Sequence, residues 1–365
     1  MLSLSKYAFE EMHFDKLSAT QGCHAELDSA SHLKTLNQVQ GDVHRIFPKF
    51  DKNRIMEILV YGIGGVGGYF GGKLANAGFN VSMIARGEHL KQIQKNGLEV
   101  ESIKGNFKVK PKVATSDISE IPKPDLIMLG IKSWQIPSVA AELKPIIGED
   151  TMVLPLQNGA DNVEKLQEIL PKKNVLAGLC FVVSYIEKPG KIKHAAFDPK
   201  ITFGEIDNSK SDRILKLKNV FEEAGIANSI PENIQLEVWK KFLFISTVSG
   251  IGGLTRVSID KIRESDYLHD MMQNTAKEII EVANAKGIPL SEKHLEKVFE
   301  TISAQPEGTT SSTQRDIMNG KPSELENFNG FIVKEGEKLG VKTPVNRYIY
   351  ECLKPMEAVA RKSKE

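Results

Sequence analysis

The chain has 365 residues, of which 41 % are apolar, and its 48 basic and 47 acidic residues leave a formal net charge of +1. This balance excludes a broad phosphate-binding surface, so nucleic acid is not an expected partner, and the length suits two domains. Three scattered cysteines (Cys23, Cys180, Cys352) exclude a disulfide framework and a Cys-rich zinc site, and no metal is expected.

Residues 1–55 show no structural period. His13, His24, His32 and His44 lie there with Cys23, at spacings that match no standard ligand set. The acidic residues of MLSLSKYAFEEMHFD break any apolar run, unlike a secretory signal. The stretches HAELDSASH and NQVQGDV are similar to translated interspersed repeats. The segment reads as a poorly ordered extension before a natural start at Met56, which N-terminal sequencing of the native protein would check. No apolar run anywhere reaches the roughly 18 residues of a membrane span. A cytoplasmic protein without a membrane partner is the expectation, and the few cysteines fit a reducing compartment.

From Met56 the signals sharpen. Ile58–Tyr61 reads as a strand, followed at once by a glycine cluster and a helix through Tyr69, Phe70, Leu74 and Ala77. A second strand follows at Asn80–Ala85. Leu98–Ser102 and Phe107–Val109 flank a Lys104-Gly105-Asn106 turn and read as a hairpin. Asp125–Lys132 and Thr151–Leu156 are apolar strands, with a helix at Asn162–Leu170. The alternation predicts an α/β fold with a doubly wound parallel sheet. Val175–Tyr185 and Lys191–Glu205 read as an antiparallel addition to that sheet. A helix near Asp212–Ala224 and a strand at Ile226–Ser229 close a first domain, residues 56–231. Helical spacing then dominates residues 232–365, with breaks expected at Gly250–Gly253, Gly287–Pro289, Gln305–Gly308, Gly320–Pro322 and Gly340–Pro344. Cys180 and Cys352 both sit in apolar surroundings and are expected to be packed.

The loop Gly62-Ile63-Gly64-Gly65-Val66-Gly67 satisfies G-x-G-x-x-G in the required strand-to-helix context. It predicts a dinucleotide site. Gly62 allows the tight turn, Gly64 lets a pyrophosphate approach the backbone, and Gly67 lets the helix pack on the sheet. The helix N-terminus offers unpaired N–H groups to the phosphate. An acidic residue at the end of the second strand would select NAD by binding the ribose 2′-hydroxyl. Arg86 stands there instead, and a guanidinium suits the 2′-phosphate of NADP. A solvated loop arginine is the alternative.

Several motifs in order carry a resemblance over residues 56 to about 356. MEILVYGIGGVGGYFGGKLANAG, ARGEHL, GIKSWQ, LPLQNG, VWKKFLF, SELENFNGF and GVKTPVN resemble successive stretches of the ketopantoate reductase family. The resemblance implies a Rossmann-type domain followed by an all-helical domain of the 6-phosphogluconate dehydrogenase C-terminal type. It implies NADPH-dependent reduction of 2-dehydropantoate to (R)-pantoate, on the route to pantothenate and coenzyme A. It also implies roles for single residues. Lys241, in Trp239-Lys240-Lys241, would be the general acid, and Lys240 would point about 100° away from it. Glu324 would hold the substrate's hydroxyl end, although the helix dipole offers it a structural task. Glu326 has capping-box spacing from Ser323. Ser312 would contact substrate or, with Ser311, cap a helix. Asn158 would lie near cofactor and substrate, or simply form an Asn-Gly turn. Lys132 would be a cofactor-side lysine. One departure stands out: the family carries asparagines four and eight residues after the lysine, where this chain has Ile245 and Ser249. A different 2-oxo acid is therefore an alternative substrate, and an NADP-binding sensor or scaffold is the non-enzymatic alternative. Assembly as a homodimer is left open.

Overall fold

The computed structural model describes residues 55–362. The expected N-terminal extension, with His13, His24, His32, His44 and Cys23, lies outside the described residues.

Elements alternate as predicted: β1 (Glu57–Tyr61), α1 (Gly65–Asn76), β2 (Asn80–Ile84), α2 (Gly87–Asn96), β3 (Leu98–Ser102), β4 (Phe107–Val109), β5 (Val113–Thr115), β6 (Leu126–Leu129), α3 (Ile136–Leu143), β7 (Met152–Pro155) and α4 (Asn162–Gln167). Strands β5-β2-β1-β6-β7 form one parallel sheet. Its inner strand β6, LIML, is buried at every position, as a sheet covered on both faces requires. The short β5, which carries little apolar signal, supplies the outer strand.

The following hairpin, β8 (Ala177–Lys188) and β9 (Lys191–Gly204), departs from expectation. It does not extend the parallel sheet. It forms a second sheet with β3, β4 and β10 (Ala227–Ser229), after α5 (Asp212–Glu223), in the order β10-β9-β3-β4 with β8 against β9. An isolated bridge between Val153 of β7 and Val175 ties the parallel sheet to the segment that leads into β8. The reason lies in the glycines of α1. On one side a Cβ at Gly71 would sit 2.9 Å from Val60 of β1; on the other, Cβ atoms at Gly68 and Gly72 would sit 2.6 Å from Ile192 of β9 and 3.1 Å from Phe107 of β4. The helix GVGGYFGGKLAN is thin enough to lie between two sheets, and the long hairpin supplies the second.

The rest is helical: α6 (Ile234–Thr255), α7 (Ile259–Arg263), α8 (Asp266–Ala285), α9 (Glu292–Ser303), α10 (Ser312–Met318), α11 (Asn329–Leu339) and α12 (Pro344–Lys362). The α/β part with its parallel sheet and the helical part match the expected fold class. The helical core is built on Trp239, Phe242, Phe328 and Phe331, with Trp239 and Phe242 edge to face at 5.4 Å. The expected break at Gly250–Gly253 is absent. Helix α6 runs through these glycines because neighbours need the space: a Cβ would meet Asn329 at 2.7 Å from Gly250, Gln314 at 2.5 Å from Gly252 and Ile317 at 2.7 Å from Gly253. Close packing outweighs the roughly 1 kcal/mol cost of each helical glycine. Cys180 is buried as expected, but Cys352 is exposed, because it falls on the outer face of α12. No helix among the described residues is long and apolar enough to cross a membrane.

Candidate active site

The site is built where the carboxyl edge of the parallel sheet meets the helical part. At its dinucleotide end, Gly62 leaves β1 with φ +92°, a conformation that favours glycine. Gly67 crosses directly over it, and a Cβ there would overlap the Gly62 carbonyl oxygen. Gly64 is the N-cap of α1 and offers no side-chain cap, and no acidic residue occupies the first turn. The nearest atom to a Cβ at Gly64 is 3.8 Å away, so Gly64 faces open space. Ile63 is buried beneath the loop, while Gly65 and Val66 begin the helix against the β8 backbone. An uncapped helix N-terminus beside an open glycine is a cradle that fits a pyrophosphate. Arg86 leaves the end of β2, adjacent to Tyr61 at the end of β1, and its Nη2 donates to the Tyr61 hydroxyl at 3.3 Å.

At the other end, the loop after β6 forms a short 3-10 turn, Ser133–Gln135, held by residues from far along the chain. Lys132 pairs with Asp316 of α10 at 2.7 Å and lies 3.7 Å from Glu324. Glu324 is 4 % exposed and accepts from both the backbone N–H (3.3 Å) and the hydroxyl (3.0 Å) of Ser133. The same hydroxyl is in reach of the Asn158 carbonyl, in the loop after β7. Trp134 lies under the Arg361 guanidinium, 4.9 Å from its ring centre, and Arg361 pairs with Glu357 of α12 at 2.7 Å. Burial works against charge on Lys132, but Glu324 and Asp316 outweigh it and raise the lysine's pKa.

Lys241 sits in the second turn of α6. Its Nζ donates to the Cys180 carbonyl of β8 at 2.5 Å and lies 5.3 Å from the Phe181 ring centre. Burial lowers its pKa, against the smaller opposing pull of Cys180 and the Glu324 carboxylate. Lys240 points elsewhere and pairs with Glu237 at 2.7 Å. The side-chain divergence expected of neighbouring helical lysines is therefore present.

The structure brings Lys132, Asn158 and Glu324 together around Ser133, with Lys241 within electrostatic reach of Glu324. Ser312 is exposed at the start of α10, and the N-cap is Ser311, whose hydroxyl accepts from Gln314 N–H at 3.0 Å. Ser312 lies one turn before Asp316 and so shares its face, the one turned to Lys132. The expected Ser323–Glu326 capping box does not form. Ser323 donates to Glu357 at 2.6 Å, and Glu326 takes the Tyr350 hydroxyl at 2.6 Å and Lys334, because the chain makes a 3-10 turn at Leu325–Asn327 before α11 begins. Sequence reading missed Ser133, Asp316 and the Trp134–Arg361 contact. The Lys132–Asp316 and Ser133–Glu324 contacts join residues 184 and 191 apart, beyond any local pattern. Among the described residues no group of three or more His, Cys, Asp or Glu is placed to hold a metal.

A parallel sheet opening on a Gly62–Gly67 cradle, closed by a helical part, defines an oxidoreductase of the NAD(P)-binding Rossmann type. Comparison with known proteins narrows the class. The family model for ketopantoate reductase PanE/ApbA matches residues 58–208, and the model for its C-terminal part matches 233–357. The chain belongs to the ketopantoate reductase family. It is 33 % identical to a 2-dehydropantoate 2-reductase of Pyrococcus abyssi, over 84 % of this chain and 100 % of the relative. It is 30 % identical to an oxidoreductase of Bacillus subtilis described as uncharacterized, over 83 % of this chain and 99 % of that protein. Among solved structures, D-mandelate dehydrogenase with NADH and anilino(oxo)acetate superposes with a TM-score of 0.75 at 25 % identity, covering 84 % of this chain and 99 % of that one.

Proposed function

We propose that the protein reduces a 2-oxo acid with NADPH, and that 2-dehydropantoate, reduced to (R)-pantoate, is the substrate. Such a reaction serves pantothenate and coenzyme A synthesis in the cytoplasm. The observation that carries the reading is the meeting of Lys132, Asn158 and Glu324 at the sheet edge beside a desolvated Lys241. The Gly62–Gly67 loop and Arg86 would hold the dinucleotide, with Lys132 and Asn158 on its nicotinamide side. When bound, the reduced nicotinamide supplies a hydride to the ketone carbon. Lys241 Nζ gives its proton to the oxygen as negative charge grows there. Glu324 takes the hydroxyl of the substrate, and Ser312 and Asn158 contact its polar groups. With a boundary at residues 231/232 the cleft would lie between the two parts, and they would close over both ligands.

Lys241 must be protonated to act. Reduction is therefore full at pH values below its pKa and is lost as pH rises through it. Because burial lowers that pKa, kcat is expected to fall at a pH below the range of an ordinary lysine. A kcat–pH profile that stays flat into the alkaline range contradicts the assignment.

Ile245 favours a second reading, a reductase of a different 2-oxo acid. One turn beyond Lys241, it packs with the helical core and offers no polar group, while the Ser249 hydroxyl is buried without a partner. Initial rates of NADPH oxidation over a panel of 2-oxo acids separate the two. The proposed substrate predicts the highest kcat/KM for 2-dehydropantoate; turnover of a bulky apolar 2-oxo acid alone supports the second reading.

A further inference from the structure

We propose that Tyr61 and Glu142 form a relay that aims Arg86 at the 2′-phosphate of the dinucleotide and thereby sets the preference for the phosphorylated cofactor. The inference deepens the NADPH reading and rests on it. Tyr61 is the last residue of β1, immediately before the glycine loop, and is 3 % exposed. Its hydroxyl lies 2.6 Å from Glu142 Oε2, on α3, and 3.3 Å from Arg86 Nη2, at the end of β2. A carboxylate can only accept and a guanidinium can only donate. The single phenolic proton therefore goes to Glu142, and the oxygen's lone pair takes the Arg86 N–H. Burial and the Glu142 bond push the phenol up to about 12, so it keeps its proton at working pH.

This arrangement does two things for Arg86. It uses one of five guanidinium donors and leaves the other four to a ligand. It also restrains an otherwise exposed, rotamer-rich side chain at the sheet edge where the adenosine ribose binds in folds of this kind. Tyr61 further keeps the Glu142 carboxylate one side chain away from Arg86, so the acid steers the cation without pairing with it directly. Tyr61 and Glu142 are positioning residues; neither needs to touch the cofactor.

The test is calorimetric titration of the full chain with 2′-phospho-ADP-ribose and with ADP-ribose, which requires no turnover. Wild type is expected to prefer the phosphorylated ligand, and Arg86→Ala to lose that preference. Tyr61→Phe is expected to weaken 2′-phospho-ADP-ribose about tenfold, as loss of a hydrogen bond to a charged group does, and to leave ADP-ribose unchanged. The Tyr61→Phe/Arg86→Ala double variant should then match Arg86→Ala alone. Glu142→Gln keeps the hydroxyl but removes the charge, and should shift the ligand ratio in the same direction; it carries the test if Tyr61→Phe does not fold. A ratio unchanged by Tyr61→Phe and Glu142→Gln, with Arg86→Ala still lowering it, overturns the relay while the cofactor reading stands. A ratio unchanged by Arg86→Ala overturns both.

Discussion

Replacing Lys241 by methionine is expected to lower kcat for ketone reduction by about 10²–10⁴-fold, the usual effect of removing a positioned proton donor. Methionine keeps an unbranched chain of similar length, so packing against Phe181 survives. The Cys180 carbonyl loses its donor, but a desolvated cation is also removed, and these effects oppose each other in stability. The groups that would hold the dinucleotide's phosphates, the Gly62–Gly67 loop and Arg86, are not among the partners of Lys241, so cofactor affinity should stay near wild type. The pattern expected is thus a large loss in kcat, intact cofactor binding by fluorescence titration and a melting temperature near wild type. If the methionine variant kept wild-type kcat, the proton would have to come from another group.

The second large effect separates two glycines three residues apart. Gly67→Ala pushes a methyl group into the Gly62 carbonyl, between two backbones that cannot yield. It should cost on the order of 1–3 kcal/mol or more, as overpacking does, and lower the melting temperature. Gly64→Ala meets nothing closer than 3.8 Å, and its φ of −81° suits alanine. It should fold as well as wild type and still lose dinucleotide binding, because the methyl group fills the space in which the pyrophosphate approaches the loop. Thermal unfolding and NADPH titration of both variants check this. Equal melting temperatures for the two, or tight NADPH binding by Gly64→Ala, would contradict the cradle.

What was legible in the sequence was local. The glycine loop, the LIML and MVLP strands and the helical second half follow from periodicity and turn residues within short windows. The strands of the second sheet, its Leu98–Val109 hairpin and its antiparallel β8–β9 pair were legible, but their assembly into a sheet of its own was not. Strand β9 pairs in parallel with β3, joining Glu99–Ser102 to Lys191–His194 across some 90 residues, and no local pattern encodes that. Gly250, Gly252 and Gly253 misled for a related reason. In isolation they read as breakers, and only the Asn329, Gln314 and Ile317 side chains lying against them show that α6 continues. In the candidate site, motif order pointed to Lys132, Asn158, Lys241 and Glu324, which the structure brings near one another. The groups that hold them lay outside the motifs, or carried no signal within them: Asp316 for Lys132, Ser133 for Glu324, the Cys180 carbonyl for Lys241. Ser323–Glu326 had the spacing of a cap but not the helix to go with it, since α11 begins at Asn329.

The contacts around Ser133 have a consequence for selectivity. Lys132, Ser133 and Glu324 already satisfy one another, so a ligand entering there does not fill vacant bonds; it exchanges partners. The net affinity is then a small difference between bonds broken and bonds made. A molecule that draws both Lys132 and Ser133 away but offers no donor to Glu324 would strand a buried carboxylate, at the cost of an unpaired charge. Only a ligand pair that replaces both sides of the exchange escapes that penalty. Discrimination would thus arise from the resting protein's own bonds as well as from the shape of the pocket.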